Sequence, residues 1–214
     1  MTYKLYGNSR IGLCYSVVSR HSWETVAKAV WRKYPNPWNT NLIAIDVLNR
    51  HIDSQGRLES HRLLTTQFAI PSFVHTILGG NPTGYVSEVS IVDPKKKTVE
   101  LNATNLILSD YLTVDERLVY SQHPANKDHT LLKQEAYITV RGVPLSGYLE
   151  GVIENQVECN AGKGRKAMEA VISTIKGEME ELAKTAQSVS KSAQNVLVSK
   201  ALDHMKMVDG DTSF

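Results

Sequence analysis

Cysteine is nearly absent from this chain of 214 residues, which carries only Cys14 and Cys159. Two thiols so far apart form neither a metal-ligand spacing nor a disulfide framework, and they read as buried or free thiols. Long hydrophobic runs are missing as well: no apolar stretch approaches the roughly 18–20 residues that span a bilayer, and nothing has the form of a secretory signal. Charge of one sign does not dominate, since 24 Lys and Arg stand against 22 Asp and Glu for a formal net charge of +2. Such a balance does not call for nucleic acid, and the one tight basic run, Lys95-Lys96-Lys97 after Pro94, sits where a hairpin turn belongs. Enzyme signatures are absent too. Gly162-Lys163-Gly164-Arg165 lacks the upstream glycine, the following Ser or Thr and the preceding strand of a phosphate loop. There is no Gly-x-Ser-x-Gly and no His-Glu-x-x-His, and the seven histidines show no ligand spacing. Asp115 and Glu116 alternate across a strand and make a poor acid/base couple. The chain therefore reads as a non-enzyme with no cofactor and no metal.

What is present is an ordered series of elements. The 42% hydrophobic content supports one sizeable core, or a smaller core with a long appendage. Gly12 to Ser19 makes a first strand of poor alternation. Ser22 is an N-cap for a helix whose apolar stripe is Trp23, Val26, Ala27, Val30 and Trp31, ended by Tyr34-Pro35-Asn36-Pro37. Ile43, Ile45 and Val47 alternate into a turn at Asp53-Ser54-Gln55-Gly56, and Leu58 to Phe68 returns. Tyr85–Val92, Thr98–Leu108, Leu112–Tyr120 and Leu131–Arg141 are further strands separated by turn residues. From Ser146 a long helix carries the stripe Ile153, Val157, Ala161, Met168, Val171, Ile175, Met179 and Leu182. Gly162 and Gly164 interrupt it and predict a kink or hinge. The fold class is α+β: a curved antiparallel sheet of about seven strands with the long C-terminal helix across one face. The organisation is an N-terminal extension over 1–11, one domain over 12–184, and a helix end and tail over 185–214. Lys4, Arg10 and Arg20 with serines, and no acid before Glu24, give the first 23 residues a faint targeting character that three tyrosines weaken.

Three features bear on function. Thr65 to Gly84 joins two strands yet is long and apolar, with Phe68, Ile70, Phe73, Val74, Ile77 and Leu78. It is either a satellite helix stapled to the core or a cover for a cavity or membrane, each exposed large side chain being worth roughly 1.5–3 kcal/mol of transfer. Along the strands, Arg62, Glu116 and Gln134 intrude on otherwise apolar faces. Either Arg62 and Glu116 satisfy each other, or the interior is a cavity with polar contents. On the long helix a second flank, Tyr148, Val152, Gln156, Asn160 and Lys163, is apolar at one end and cationic at the other. It suits an amphiphile with its tails near Val152 and its anionic head near Asn160 and Lys163, unless Lys163 simply reaches solvent.

Several motifs fall in order along the chain: Tyr34-Pro35-Asn36-Pro37, Asp46-Val47-Leu48-Asn49-Arg50-His51-Ile52-Asp53, Ser60-His61-Arg62-Leu63-Leu64, Val92-Asp93-Pro94, Val114-Asp115-Glu116-Arg117 and Tyr148-Leu149-Glu150-Gly151. Together they resemble the PRELI-like proteins, specifically the slowmo branch, over Ser22 to Leu182. The resemblance implies a lipid cavity closed by helices, broadly like the START and phosphatidylinositol-transfer folds. It implies carriage of phosphatidic acid, or in some members phosphatidylserine, across the mitochondrial intermembrane space, in service of cardiolipin metabolism. It also implies a small disulfide-stapled helical-hairpin partner and peripheral contact with anionic membranes. By this likeness the lid is Ile70 to Gly80, with Ile70, Phe73, Val74, Ile77 and Leu78 as its membrane-contact residues, while Lys33, Asn160 and Lys163, joined by Arg62, bind the headgroup. Glu116, Gln134, Val152 and Gln156 line the cavity. Thr66 replaces a lysine found in some phosphatidic acid carriers, which leaves the headgroup open. The alternative is a non-catalytic interaction module that recruits partners through the Met168 to Leu182 stripe and extracts no lipid.

Overall fold

Ser22 opens the first helix as its residue type predicts: its Oγ accepts a hydrogen bond from the Thr25 N–H at 3.4 Å. Helix α1 runs Trp23–Arg32 and buries Trp23, Val26, Ala27, Ala29 and Val30. Its exit is held by Asn36, whose amide donates to the Lys33 carbonyl at 2.9 Å while its Oδ1 accepts from the backbone N–H groups of Trp38 and Asn39 at 3.0 and 2.9 Å. The asparagine thus satisfies a helix-end carbonyl that would otherwise lack a partner. The structure, a computed structural model, describes residues 2–7, 10–67, 83–107, 109–141 and 146–209. The lid residues Ile70, Phe73, Val74, Ile77 and Leu78 lie outside the described residues, as does Phe68.

Eight strands are described: β1 (Thr2–Gly7), β2 (Arg10–Ser19), β3 (Leu42–Ile52), β4 (Leu58–Gln67), β5 (Thr83–Asp93), β6 (Thr98–Asn105), β7 (Leu112–His123) and β8 (Asn126–Val140). They form one antiparallel sheet in the order β1-β2-β8-β7-β6-β5-β4-β3, so β3 to β8 is a meander and β2 returns beside its last strand. The α+β architecture read from the pattern is present with one strand more than the seven expected. The addition is β1, which pairs with β2 from Thr2↔Tyr15 to Gly7↔Arg10. Turn chemistry sets the hairpins. Asp53 Oδ1 accepts from the N–H groups of Gln55 and Arg57, and Gly56 takes φ 81°, where a Cβ is strained. Asp93 Oδ1 likewise accepts from Lys95 and Lys96 N–H, so the basic run is a turn, and Lys97 pairs with Glu24 at 2.8 Å.

Period-two alternation sends Ile11 and Leu13 of β2 and Ala136, Ile138 and Val140 of β8 to one face, where they form a buried cluster. Helix α2 (Ser146–Asp209) packs Ile153 and Val157 on that cluster, and α1 lies against β7 and β8. The chain divides into two compact units, Met1–Ile172 and Ser173–Phe214. α2 runs through Gly162 and Gly164 as one helix.

Candidate functional site

Within the first unit the inner face of the sheet, α1 and the start of α2 enclose a cavity of about 330 Å³. One row of the sheet brings charge to it. The registers align Arg62 (β4), Glu88 (β5), Ala103 (β6), Glu116 (β7) and Ala136 (β8) side by side, all on the inner face. Arg62 and Glu88 are direct cross-strand neighbours: Arg62 Nε donates to Glu88 Oε1 at 2.8 Å and Nη2 to the same oxygen. Both side chains are more than nine-tenths buried. The guanidinium also lies over the Trp31 ring, 5.4 Å from its centroid, while Arg50 covers the same ring at 4.8 Å.

The expected Arg62–Glu116 pair does not form. Three strand spacings of about 4.8 Å separate the two residues, and Glu88 stands in the nearer place. Glu116 instead accepts a 2.5 Å hydrogen bond from Gln134 Nε2. Glu88 escaped the period-two count, although Val86, Glu88 and Ser90 share the parity that marked the other intruders.

Lys33 supplies a further charge, in addition to Arg165 and Glu169 of α2. It follows Val26 and Val30 at helical spacing, so the buried stripe of α1 delivers its side chain into the cavity rather than to solvent. Its ammonium lies 5.0 Å from the Tyr34 ring centroid. Space for it is made by Gly164 of α2: a Cβ there would come within 3.0 Å of Lys33 Nζ. The glycine that predicted a kink is therefore a clearance. Burial alone would push the Lys33 ammonium down, but Tyr120, Tyr34 and Glu116 outweigh it and hold its pKa above the usual lysine value. Burial also pushes the Glu116 carboxyl up, against the opposing pull of the Gln134 hydrogen bond and of Lys33. At neutral pH the cavity thus presents a firm cation beside a carboxyl that gives up its proton reluctantly.

Most of the remaining lining is apolar, with Leu112, Val114, Ile153 and Val157 among it. Of the headgroup residues read from sequence, Lys33, Arg62 and Asn160 line the cavity, as do Glu116, Gln134 and Gln156. Val152 and Lys163 are placed off the lining. The lining stripe of α2 is Ile153, Val157, Ala161, Gly164, Met168 and Ile172, and at about 100° per residue Gln156 and Asn160 fall on its edge while Val152 and Lys163 turn past it. Gln156 Nε2 donates to Asn160 Oδ1 at 2.9 Å, holding the two edge amides together.

The PRELI-like family model matches residues 24–178. The chain belongs to the PRELI-like family. Among PRELI-like relatives it is 37% identical over 194 residues to Protein UPS2, mitochondrial, of Saccharomyces cerevisiae, covering 88% of this chain and 80% of that protein. It is 36% identical over 163 residues to the Protein slowmo homolog of Dictyostelium discoideum, covering 76% of this chain and 71% of the relative, in keeping with the slowmo branch of the family. The fold of this PRELI-like chain is similar to that of the human StarD13 (DLC2) lipid transfer and protein localization domain, with a TM-score of 0.50 and 13% identity, covering 75% of this chain and 78% of the domain. At that identity the likeness establishes the START-like fold alone.

Proposed function

We propose that this PRELI-like chain is a phospholipid carrier that extracts one anionic phospholipid from a membrane and releases it at another. The observation that carries the proposal is the make-up of the cavity: the Lys33 ammonium beside acid and amide side chains, within walls that are otherwise mostly apolar. That combination suits an amphiphile with a phosphate head. Arg62 is already engaged by Glu88, so the phosphate is taken by Lys33, with amide donors from Asn160 at the cavity edge. No bond is made or broken, and no cofactor is involved. The name of UPS2 supports a mitochondrial setting; by family resemblance the site of action is the intermembrane space, and the working form is a complex with a small disulfide-stapled helical hairpin.

Phosphatidic acid and phosphatidylserine differ in whether the headgroup carries an ammonium, and Glu116 is the acceptor that would meet one. The test is transfer of labelled lipids between liposomes by the protein copurified with its partner, comparing phosphatidic acid, phosphatidylserine and phosphatidylcholine. Selective transfer of an anionic lipid is expected, lost in Lys33→Glu; preference for phosphatidylserine that Glu116→Gln abolishes would assign the headgroup. A folded complex that transfers no lipid would overturn the carrier proposal in favour of an interaction module.

A further inference from the structure

In the row that crosses the inner face of the sheet, Glu116 stands between Ala103 and Ala136, whose methyl groups offer it nothing. Gln134, two residues from Ala136 on β8 and itself buried, donates to Oε1 at 2.5 Å. One carboxyl oxygen is thereby fixed. Among the described residues Oε2 has no such donor, on a side chain that lines the cavity together with Lys33.

The charged and titratable groups around Glu116 come from several elements. Lys33 and Tyr34 follow α1, Tyr120 lies on β7 itself, and Arg62 of β4 and Glu88 of β5 are closed on each other. From α2 come Arg165, which acts with Glu154 and Glu158 on Tyr15, and Glu169, tied to His21 at 2.9 Å. The Gln134 amide and Lys33 favour ionised Glu116, against burial and the charge of Glu88. A phosphate arriving at Lys33 takes up that ammonium and brings a second anion beside the carboxylate. Two anions sharing one cation within mostly apolar walls do not both stay ionised at small cost. The phosphate keeps at least one negative charge at neutral pH, so the carboxyl is the group that yields. Protonated Glu116 then changes from a repelling group to a donor: its O–H bonds a phosphate oxygen while Gln134 holds the other carboxyl oxygen in place.

We propose, on the carrier reading above, that a phosphate headgroup with no ammonium of its own enters this cavity together with one proton, taken from solvent and held on Glu116. A serine headgroup brings an ammonium that meets the ionised carboxylate in the proton's place. Glu116 thus determines specificity through proton linkage, with loading favoured on the acidic side and release on the alkaline side. Because the loaded protein binds the extra proton, affinity falls as pH rises, by up to about tenfold per pH unit over the range in which loaded Glu116 is protonated and unloaded Glu116 is not.

The test is calorimetric titration of the full chain, copurified with its partner, with dihexanoyl phosphatidic acid in buffers of different ionisation enthalpy from about pH 5 to 8. The parent is expected to take up about one proton more than Glu116→Gln, and its affinity to fall more steeply with pH. The variant supplies the baseline, since the second ionisation of the lipid phosphate, near pH ~6, is common to both. Phosphatidic acid that binds with equal proton number and slope in both proteins would overturn the coupling and leave the carrier standing. Dihexanoyl phosphatidylserine that takes up the same extra proton would overturn the exchange of ammonium for proton. A folded complex that binds neither lipid at any pH would overturn the carrier itself, and the coupling with it.

Discussion

Two carboxyl groups face the same cavity from the same row of the sheet, and their surroundings divide structure from chemistry. Glu88 lies directly across from Arg62, accepts two of its N–H groups and is buried with it. Glu116, two strands further on, receives one amide donor from Gln134 and shares a polar pocket with Lys33. The first pair is closed on itself and has little left to offer a ligand. The second arrangement holds a cation and an acid that do not exhaust each other's hydrogen-bonding capacity. A charge in a cavity wall is thus not by itself a binding group; what matters is whether its nearest neighbour on the sheet already answers it.

The comparison is broken most forcefully at the closed pair. Arg62→Met strands Glu88 as a buried, unanswered carboxylate and is expected to lower the unfolding free energy by about 3–5 kcal/mol in urea titrations. Adding Glu88→Leu restores most of that loss, since an apolar pair needs no partner. A single variant that costs less than about 1 kcal/mol would show that the pair is not a structural tie.

The open side gives a different signature, in which function and stability move apart. Gly164→Ala places a methyl 3.0 Å from Lys33 Nζ, and because that atom ends a flexible chain it shifts by a few tenths of an ångström at small cost. The helix gains up to about 1 kcal/mol from losing a glycine, while lipid transfer falls. If transfer were unchanged in this variant, the position of the ammonium would not matter to the proposed lipid transfer.

Glu116→Gln sharpens the contrast through pH. With its folded pKa raised, Glu116 holds its proton at pH values where the unfolded chain has lost it. The native state therefore binds more protons than the unfolded one, and stability falls as pH rises from the ordinary carboxylate range through the folded value. The glutamine variant removes that decline, giving a flatter stability profile and a gain at neutral pH, read from urea midpoints across pH. An identical slope in both proteins would place the titration elsewhere.

The smallest effect is expected outside this polar cluster, at the tie between sheet and helix. Tyr15 Oη donates to Glu158 Oε1 at 3.1 Å, and burial, with that hydrogen bond and the nearby acids, pushes its pKa up to about 12. Tyr15→Phe should cost about 0.5–1.5 kcal/mol at neutral pH. In the parent protein the same contribution is complete below the usual tyrosine value near 10 and fades as pH rises through about 12. A difference between the two proteins that stays constant across that range would remove the phenol from the interaction.

Much of this arrangement was legible beforehand, and for local reasons. Ser22 as a cap, the Asp53 and Asp93 turns and the inward parity of Arg62, Glu116 and Gln134 each depend on a few consecutive residues whose geometry is set by backbone sterics. Lys33 carried a signal too, lying on the stripe of Val26 and Val30, although only family resemblance singled it out. Three things were not legible. Gly164 looked like a helix weakness because its value lies in a contact with a residue far away in the chain. Lys163 was read toward the cavity but lies off its lining, because a linear count along a flank cannot say where the edge of a buried stripe falls. Glu116 looked like the mate of Arg62 because strand parity names the face and not the neighbour.

The amino-acid sequence by itself determined the elements, their order, the faces that turn inward and the family to which they belong, since periodicity and turn chemistry act over short spans. Which acid answers which base, which lysine enters the cavity and which glycine makes room for it were decided only by the tertiary structure. Those choices depend on strand order and register, and on the azimuth of one helix against another, distances of a few ångströms between residues that the chain itself holds far apart.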